Sequence, residues 1–274
     1  MDLKHNWSPE CIVFDLDDTL LRDDRTISKR TLSALRACHD RGIRILPASG
    51  RAMESMIDYV REIGVASHFI ACNGGEIWEV PDTIVQRLLI PERYVHEIAL
   101  DLCRRRLYAH TYDGNSFYYN AFDGGNGYAR DYAVSSKLTG HLVDDFPSFA
   151  SSHPTGKLMC ISDPQTITDL RGIYQEKYAG ILSVTTSKPF FMEINPLHAT
   201  KGEALHDCSE LMHFDLKRTW AFGDSFNDLS MLLAAGRSFA VKNAQESVLH
   251  ATTDICPSNE EDGVACVLEQ LLLS

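Results

Sequence analysis

The chain of 274 residues has no CxxC pair, no internal repeat, no low-complexity segment and no surplus of positive charge. Its eight cysteines are scattered, and Cys11 and Cys160 sit in apolar stretches where Cys acts as a small hydrophobe, so free thiols in a reducing cytoplasm are expected. No apolar run approaches the ~20 residues that span a bilayer; the longest, Leu229 to Ala235, is broken by Ser230. Met1 to Glu10 lack the basic start and apolar stretch of a signal peptide. Lys and Arg number 26 against 38 acidic residues, a net charge of −12 that disfavours binding to nucleic acid or anionic membranes. The same balance sets a problem for any phosphate-binding hypothesis. The histidines show no paired metal spacing, and His96 and His110 are expected at the surface or half-buried.

What is present is an α/β rhythm. Cys11 to Phe14 is a continuous apolar run, the pattern of a strand covered on both faces. A helix follows from Ser28, a good N-cap, then a strand at Ile43 to Leu46, a helix from Met53 to Gly64 and a strand at Phe69 to Cys72. The middle reads differently. Glu76 to Gln86 suggests a hairpin, a helix starts at Pro91, and Asp113-Gly114 between Leu107–Tyr112 and Ser116–Asn120 signals another hairpin. Gly124 to Gly127 is a loop, since no strand-to-helix context surrounds it. Lys201 to Met212, Thr219 to Phe222, Leu229 to Ala235, Ser238 to Val241, Glu246 to Ala251 and Gly263 to Leu273 restore the helix and strand alternation. The fold class is therefore α/β, a doubly wound, mostly parallel Rossmann-like core sheet with an inserted antiparallel α+β domain. The expected division is 1–82 core, 83–188 insert and 189–274 core, with Asn195-Pro196 as a hinge turn.

Ligands bind beyond the carboxyl ends of strands in such sheets. Phe14 runs into Asp15 and Asp17, Leu46 leads to Ser49-Gly50-Arg51, and Phe222 runs into Asp224 and Asp228. Carboxylates gathered at one sheet edge repel unless a cation sits among them, and hard oxygen ligands suit Mg²⁺, which also takes phosphate oxygens. Lys201 can supply a point charge to the same place.

In their order, Asp15-Leu-Asp-Asp-Thr19, Ser49-Gly-Arg51, Lys201 and Gly223-Asp-Ser-Phe-Asn-Asp228 resemble the four motifs of the haloacid dehalogenase superfamily. Asn73-Gly-Gly75, Val241-Lys-Asn-Ala244 and Asn259-Glu-Glu-Asp-Gly-Val264 resemble its Cof-type sugar-phosphatase subgroup, which carries an α/β cap of type IIB between the second and third motifs. The resemblance implies a Mg²⁺-dependent phosphatase acting on a small-molecule phosphate ester. Asp15 is then the nucleophile that forms an aspartyl-phosphate. Asp17 is the general acid and base, with a raised pKa beside Asp15. Ser49, the Gly50 amide at a helix N-terminus, Arg51, Asn73 and Asn227 attend the phosphate, and Lys201 neutralises charge during transfer. The metal takes the Asp15 and Asp224 carboxylates and the Asp17 carbonyl, with Asp228 positioning it. A phosphohexomutase is the alternative within the superfamily. A receiver-like signalling module is the alternative outside it, and Asp17 together with the large insert argues against that. Tyr112, Phe117, Tyr118 and Tyr119 are expected to be core.

Overall fold

The computed structural model describes residues 8–113, 116–123, 125–186 and 188–273. The opening residues read for a signal peptide lie largely outside that range, as do Gly114 of the expected hairpin turn and Gly124 of the glycine loop. The chain forms two compact units, Met1–Gln86 with Thr200–Ser274, and Arg87–Ala199.

The first unit opens with β1 (Cys11–Phe14), buried along its whole length. Ser28 caps α1 (Lys29–Asp40) by accepting the Thr31 amide, and β2 (Arg44–Pro47), α2 (Met53–Ile63), β3 (His68–Ala71), β4 (Glu76–Glu79) and β5 (Thr83–Arg87) follow. The second unit contains α3 (Glu92–Arg104), β6 (Tyr108–Asp113), β7 (Ser116–Tyr119), α4 (Tyr128–Ser136), β8 (Thr139–Leu142), α5 (Phe146–Ser152), β9 (Leu158–Ile161), α6 (Pro164–Lys177), β10 (Leu182–Thr185) and β11 (Phe191–Pro196). The chain returns with α7 (Lys201–Met212), β12 (Thr219–Gly223), α8 (Leu229–Ala234), β13 (Arg237–Val241), α9 (Glu246–Ala251), β14 (Asp254–Cys256) and α10 (Gly263–Leu273). The unit boundaries fall later than the 83 and 188 drawn from sequence. The reason is pairing: β5 neighbours β4, and β11 pairs with both β9 and β10.

The core sheet has the parallel order β14-β13-β12-β1-β2, and β3 continues it through a bridge between Ala48 and Ile70. Successive residues of β1 feed opposite faces. Ile12 and Phe14 pack with Leu35, Met56, Val60, Val264 and Leu268 from α1, α2 and α10. Cys11 and Val13 pack with Ala204, Leu205, Met231, Leu232 and Val248 from α7, α8 and α9. This is the doubly wound arrangement. The strand order reverses at β1, whose neighbours β2 and β12 lead outward in opposite directions, and the crevice of such a sheet opens there. Phe14 is level with both Phe222 and Pro47, so the three strands end together.

The second unit is a six-stranded sheet, β10-β11-β9-β6-β7-β8, with α3, α5 and α6 supplying an apolar cluster around Ile98, Leu102, Ile167 and Leu170. It is not purely antiparallel as expected: β7 and β8 run parallel, because α4 intervenes and carries the chain back to the starting end. A second correction concerns His110, which is fully buried rather than half-exposed, ringed by Tyr108, Tyr112 and Tyr132. His96 is exposed.

Candidate active site

The site is built from loops that leave the aligned strand ends of the first unit. Asp15 follows β1 directly, its amide bonded to the Phe222 carbonyl at 3.0 Å. Lys201 opens α7, whose N-cap Thr200 accepts the Glu203 amide. Gly74, at φ +97°, lies so close to Thr200 that a Cβ there would stand 2.1 Å from the Thr200 carbonyl oxygen. Glycine at 74 thus allows the Asn73 turn to approach the start of α7.

Lys201 is wholly buried and donates to Asp15 Oδ1 and, at 2.5 Å, to Asp228 Oδ1. The other Asp228 oxygen accepts the amides of Asp224 and Ser225, both at 3.0 Å. Asp228 therefore spends both oxygens in holding the ammonium and the Asp224 turn. Thr19 Oγ1 donates to Asp224 Oδ1 at 2.8 Å, an active role for a residue that sequence could equally read as a cap. Asp15, Asp224 and Asp228 each offer an oxygen within 4.8 Å of the others.

Three buried carboxylates around one ammonium leave negative charge in surplus, and the titration of the groups follows. Burial raises the Asp15 carboxyl well above its usual range; Lys201 opposes this, while Asp228, Asp224 and Asp17 add to it. Burial, followed by the Asp228 charge, pushes Asp224 up to about 7, with the Thr19 hydrogen bond opposing. Burial disfavours charge on Lys201, but Asp15 and Asp228 outweigh it and keep the ammonium above its ordinary range. An all-oxygen donor set short of positive charge fits a hard divalent cation such as Mg²⁺.

Asp17 departs from expectation. It does not share the proton-retaining character of Asp15, because Arg51 grips it with two hydrogen bonds of 2.7 and 2.6 Å and Arg25 adds a third contact at 3.3 Å. Burial alone would raise its carboxyl, yet the hydrogen bonds and charge of Arg51, with Arg25 and Lys201, bring it below the usual range. The two-residue spacing from Asp15 does bring both acids to one strand end, but the Asp17 side chain is turned to Arg51 and does not join the carboxylate cluster.

The remaining predicted residues follow the ends of β2, β3 and β12. Ser49 is buried; its Oγ accepts the Arg51 amide at 3.2 Å and its carbonyl accepts the Asn73 amide at 3.0 Å. Gly50 is not at a helix N-terminus as expected, since α2 begins only at Met53. Its requirement is steric instead: a Cβ would lie 2.7 Å from Asn73 Oδ1. Asn73 adopts φ +57°, a left-handed conformation that costs about 1 kcal/mol or more outside glycine and that Asn tolerates better than most. Its Oδ1 accepts from Asn227 Nδ2 at 2.9 Å, joining the two amides named from sequence. Sequence reading gave no role to Arg25, Asn243 or Asn259. The latter two stand in motifs that carried the family resemblance, which was the available signal. Asn243 Nδ2 donates to the Asp18 carbonyl at 2.7 Å, and Asn259 Nδ2 to the Leu21 carbonyl at 3.0 Å.

Known proteins resemble the chain over nearly its whole length. The family profile of haloacid dehalogenase-like hydrolases matches residues 12–268. The chain is 27% identical over 264 residues to the 5-amino-6-(5-phospho-D-ribitylamino)uracil phosphatase YcsE of Bacillus subtilis, covering 96% of this chain and 95% of that protein. It is 28% identical to a haloacid dehalogenase-like hydrolase of known structure from Bacteroides thetaiotaomicron, with a TM-score of 0.86 over 96% of this chain and all of the other. A solved subclass IIB sugar phosphatase, 18% identical, has a TM-score of 0.82 over 97% of this chain and all of the other, a likeness of fold alone.

Proposed function

The chain belongs to the haloacid dehalogenase-like hydrolases and is a phosphatase of that superfamily; from that premise we propose that it hydrolyses small phosphate monoesters, sugar phosphates among them, through an ester on Asp15. The observation that carries the reading is the buried contact of Lys201 with Asp15 and Asp228, set beside Asp224.

Asp15 Oδ attacks phosphorus and the bond to the leaving alcohol oxygen breaks, with Asp17 giving that oxygen its proton. Water then attacks the phosphorus of the Asp15 ester, Asp17 takes the water proton, and Asp15 leaves as a carboxylate. Splitting hydrolysis in this way replaces one difficult step by two easier ones. In its pairing with Arg51, Asp17 is in the base form that the second step needs. The first step requires the carboxyl to leave Arg51 and take up a proton. Lys201 holds Asp15 in place and offsets negative charge as it builds on the phosphoryl oxygens. Ser49, Gly50, Arg51, Asn73 and Asn227 make up the phosphate side of the site. Asp15 and Asp224, with the Asp17 carbonyl, would hold Mg²⁺, which supplies charge neutralisation at the phosphoryl oxygens.

A relative that removes phosphate from a ribityl chain supports including phosphorylated open-chain and cyclic sugars among the substrates. The free thiols support a reducing compartment, the cytoplasm, and no helix among the described residues is long and apolar enough to cross a membrane. A phosphate-release screen over phosphorylated metabolites, with Mg²⁺ and with EDTA, tests the reading. Release from at least one sugar phosphate that EDTA silences and Mg²⁺ restores is expected; turnover indifferent to EDTA contradicts it.

A further inference from the structure

The loop that carries Asp15 and Asp17 contains a backbone feature that neither acid explains. Asp17 has φ −69° and ψ 129°, and Asp18 has φ +59° and ψ 4°. Those angles are the central pair of a type II turn, in which the second central residue must be left-handed and is ordinarily Gly or Asn. An aspartate stands there instead. Left-handed non-glycine residues persist where the surroundings over-determine them.

The surroundings here are the Leu21 amide, which closes the segment by donating to the Leu16 carbonyl at 2.8 Å, Thr19 with its bond to Asp224, and two side-chain amides from distant parts of the chain. Asn243, just after β13, donates from Nδ2 to the Asp18 carbonyl, and its Oδ1 accepts the Asn259 amide at 3.1 Å. Asn259 is buried, and its Nδ2 donates to the Leu21 carbonyl at 3.0 Å and to Asp23 Oδ1 at 3.3 Å. One hydrogen-bonded relay therefore grips the turn at Asp18 and again at Leu21. The segment that bears Asn243 is itself tied to the site, because the Gln245 amide donates to the Asp224 carbonyl at 2.8 Å. Asn259 has a rigid seat: a Cβ at Gly263 would stand 1.9 Å from the Pro257 carbonyl oxygen, and just after Asn259 the Asp23 amide binds Glu260 and Arg22 binds Asp262.

We propose that Asn243 and Asn259 are positioning residues, a two-amide relay that holds the Asp17–Asp18 turn left-handed and so presets Asp17 relative to Asp15. The proposal rests on the phosphatase reading of Asp15 and Asp17, and it concerns residues that touch neither phosphate nor metal. Asn243 bonds the carbonyl of Asp18, the neighbour of the Asp17 carbonyl proposed to hold the metal, so its loss is expected near the lower end of the roughly 10–100-fold that removing a direct partner of a metal ligand costs in activity or metal affinity. Asn243→Ala is accordingly expected to lower kcat by about tenfold or more with KM within about twofold, and to weaken Mn²⁺ binding, measured without substrate, by about threefold or more. The decisive readout is rescue. Glycine takes φ +59° without steric cost, so Asp18→Gly in the Asn243→Ala background should recover at least about a third of the lost kcat on a logarithmic scale.

A purely structural amide would lower the thermal midpoint without these changes. Wild-type kcat and Mn²⁺ affinity in Asn243→Ala overturn the proposal, and so does a double variant no faster than Asn243→Ala. Asn259→Ala, which removes only the far end of the relay, repeats the measurements if Asn243→Ala fails to fold. Should the wild type release no phosphate from any ester, the phosphatase reading fails, while Mn²⁺ binding by the wild type and these variants still decides the positioning role.

Discussion

Each unit buries a lysine against carboxylate, and the two lysines live in opposite electrostatic settings. In the second unit Lys157 meets Glu193 at 2.7 Å, with side chains 8% and 4% exposed, a cation against an anion. In the first, Lys201 meets Asp15 and Asp228 with Asp224 alongside, three carboxylates against one ammonium. A matched buried pair is a closed arrangement whose disruption strands a charge. A mismatched one is held together by covalent geometry and hydrogen bonds despite its own repulsion, and it suits the addition of a cation. The comparison teaches what sets the proposed site apart from a structural ion pair: three carboxylates crowd one ammonium there.

Breaking the mismatched cluster should produce the largest effect. Asp15→Asn and Lys201→Met should each lower kcat by about a thousandfold or more, roughly 4 kcal/mol at 1.36 kcal/mol per decade, in a phosphate-release assay on folded protein. Breaking the matched pair should act on stability: Glu193→Gln leaves Lys157 without that carboxylate and should cost about 3 kcal/mol in urea unfolding. The same measurement in EDTA sharpens the contrast, because Asp15→Asn removes a carboxyl whose ionisation burial and the neighbouring carboxylates oppose, and should raise stability by about 1 kcal/mol, the trade expected where residues are held for chemistry and not for stability. If both substitutions destabilise the metal-free protein equally, the distinction between the two lysines fails.

The smallest effect concerns pH and the second unit. Burial, with the Lys157 charge, holds His110 well below its usual range, and Tyr108, Tyr112 and Tyr132 are the other polar groups packed on it. A depressed His is neutral when folded, so its contribution is intact above the unfolded value of about 6.5 and is lost as pH falls below it. Between pH 7 and 5 the wild type should therefore lose more stability than His110→Gln; equal slopes in parallel urea titrations would show that His110 does not titrate on unfolding.

The same distinction between units governs how much was legible in the sequence. In the first unit, strands end in the residues of the proposed site: the run Cys11 to Phe14 leads to Asp15, and the run to Phe222 leads to Asp224. Ser28, Gly64 and the span Lys201 to Met212 matched their elements because caps and apolar periodicity act locally. What escaped was non-local. The grip of Arg51 on Asp17 spans 34 residues, and the Asn243 bond to Asp18 spans 225, so no pattern of spacing encodes either. In the second unit, the stretch from Tyr128 to Ser152 carries no strong periodic signal, because α4 is weakly amphipathic and β8 is a polar edge strand, largely exposed. His110 was misjudged for a different reason: Tyr108 and Tyr112, its i±2 neighbours on one face of β6, are covered by Tyr132 of α4, and that non-local cover is what buries it.

The most direct test of the account is a chemical quench of the Asp17→Asn variant turning over a ³²P-labelled aryl phosphate. An aryl leaving group needs no protonation, so the first step proceeds, while water attack is slowed by the missing base. The account predicts alkali-labile label on the peptide containing Asp15, absent when Asp15→Asn is added. Hydrolysis with no label on the protein at any quench time, or label that survives Asp15→Asn, contradicts it.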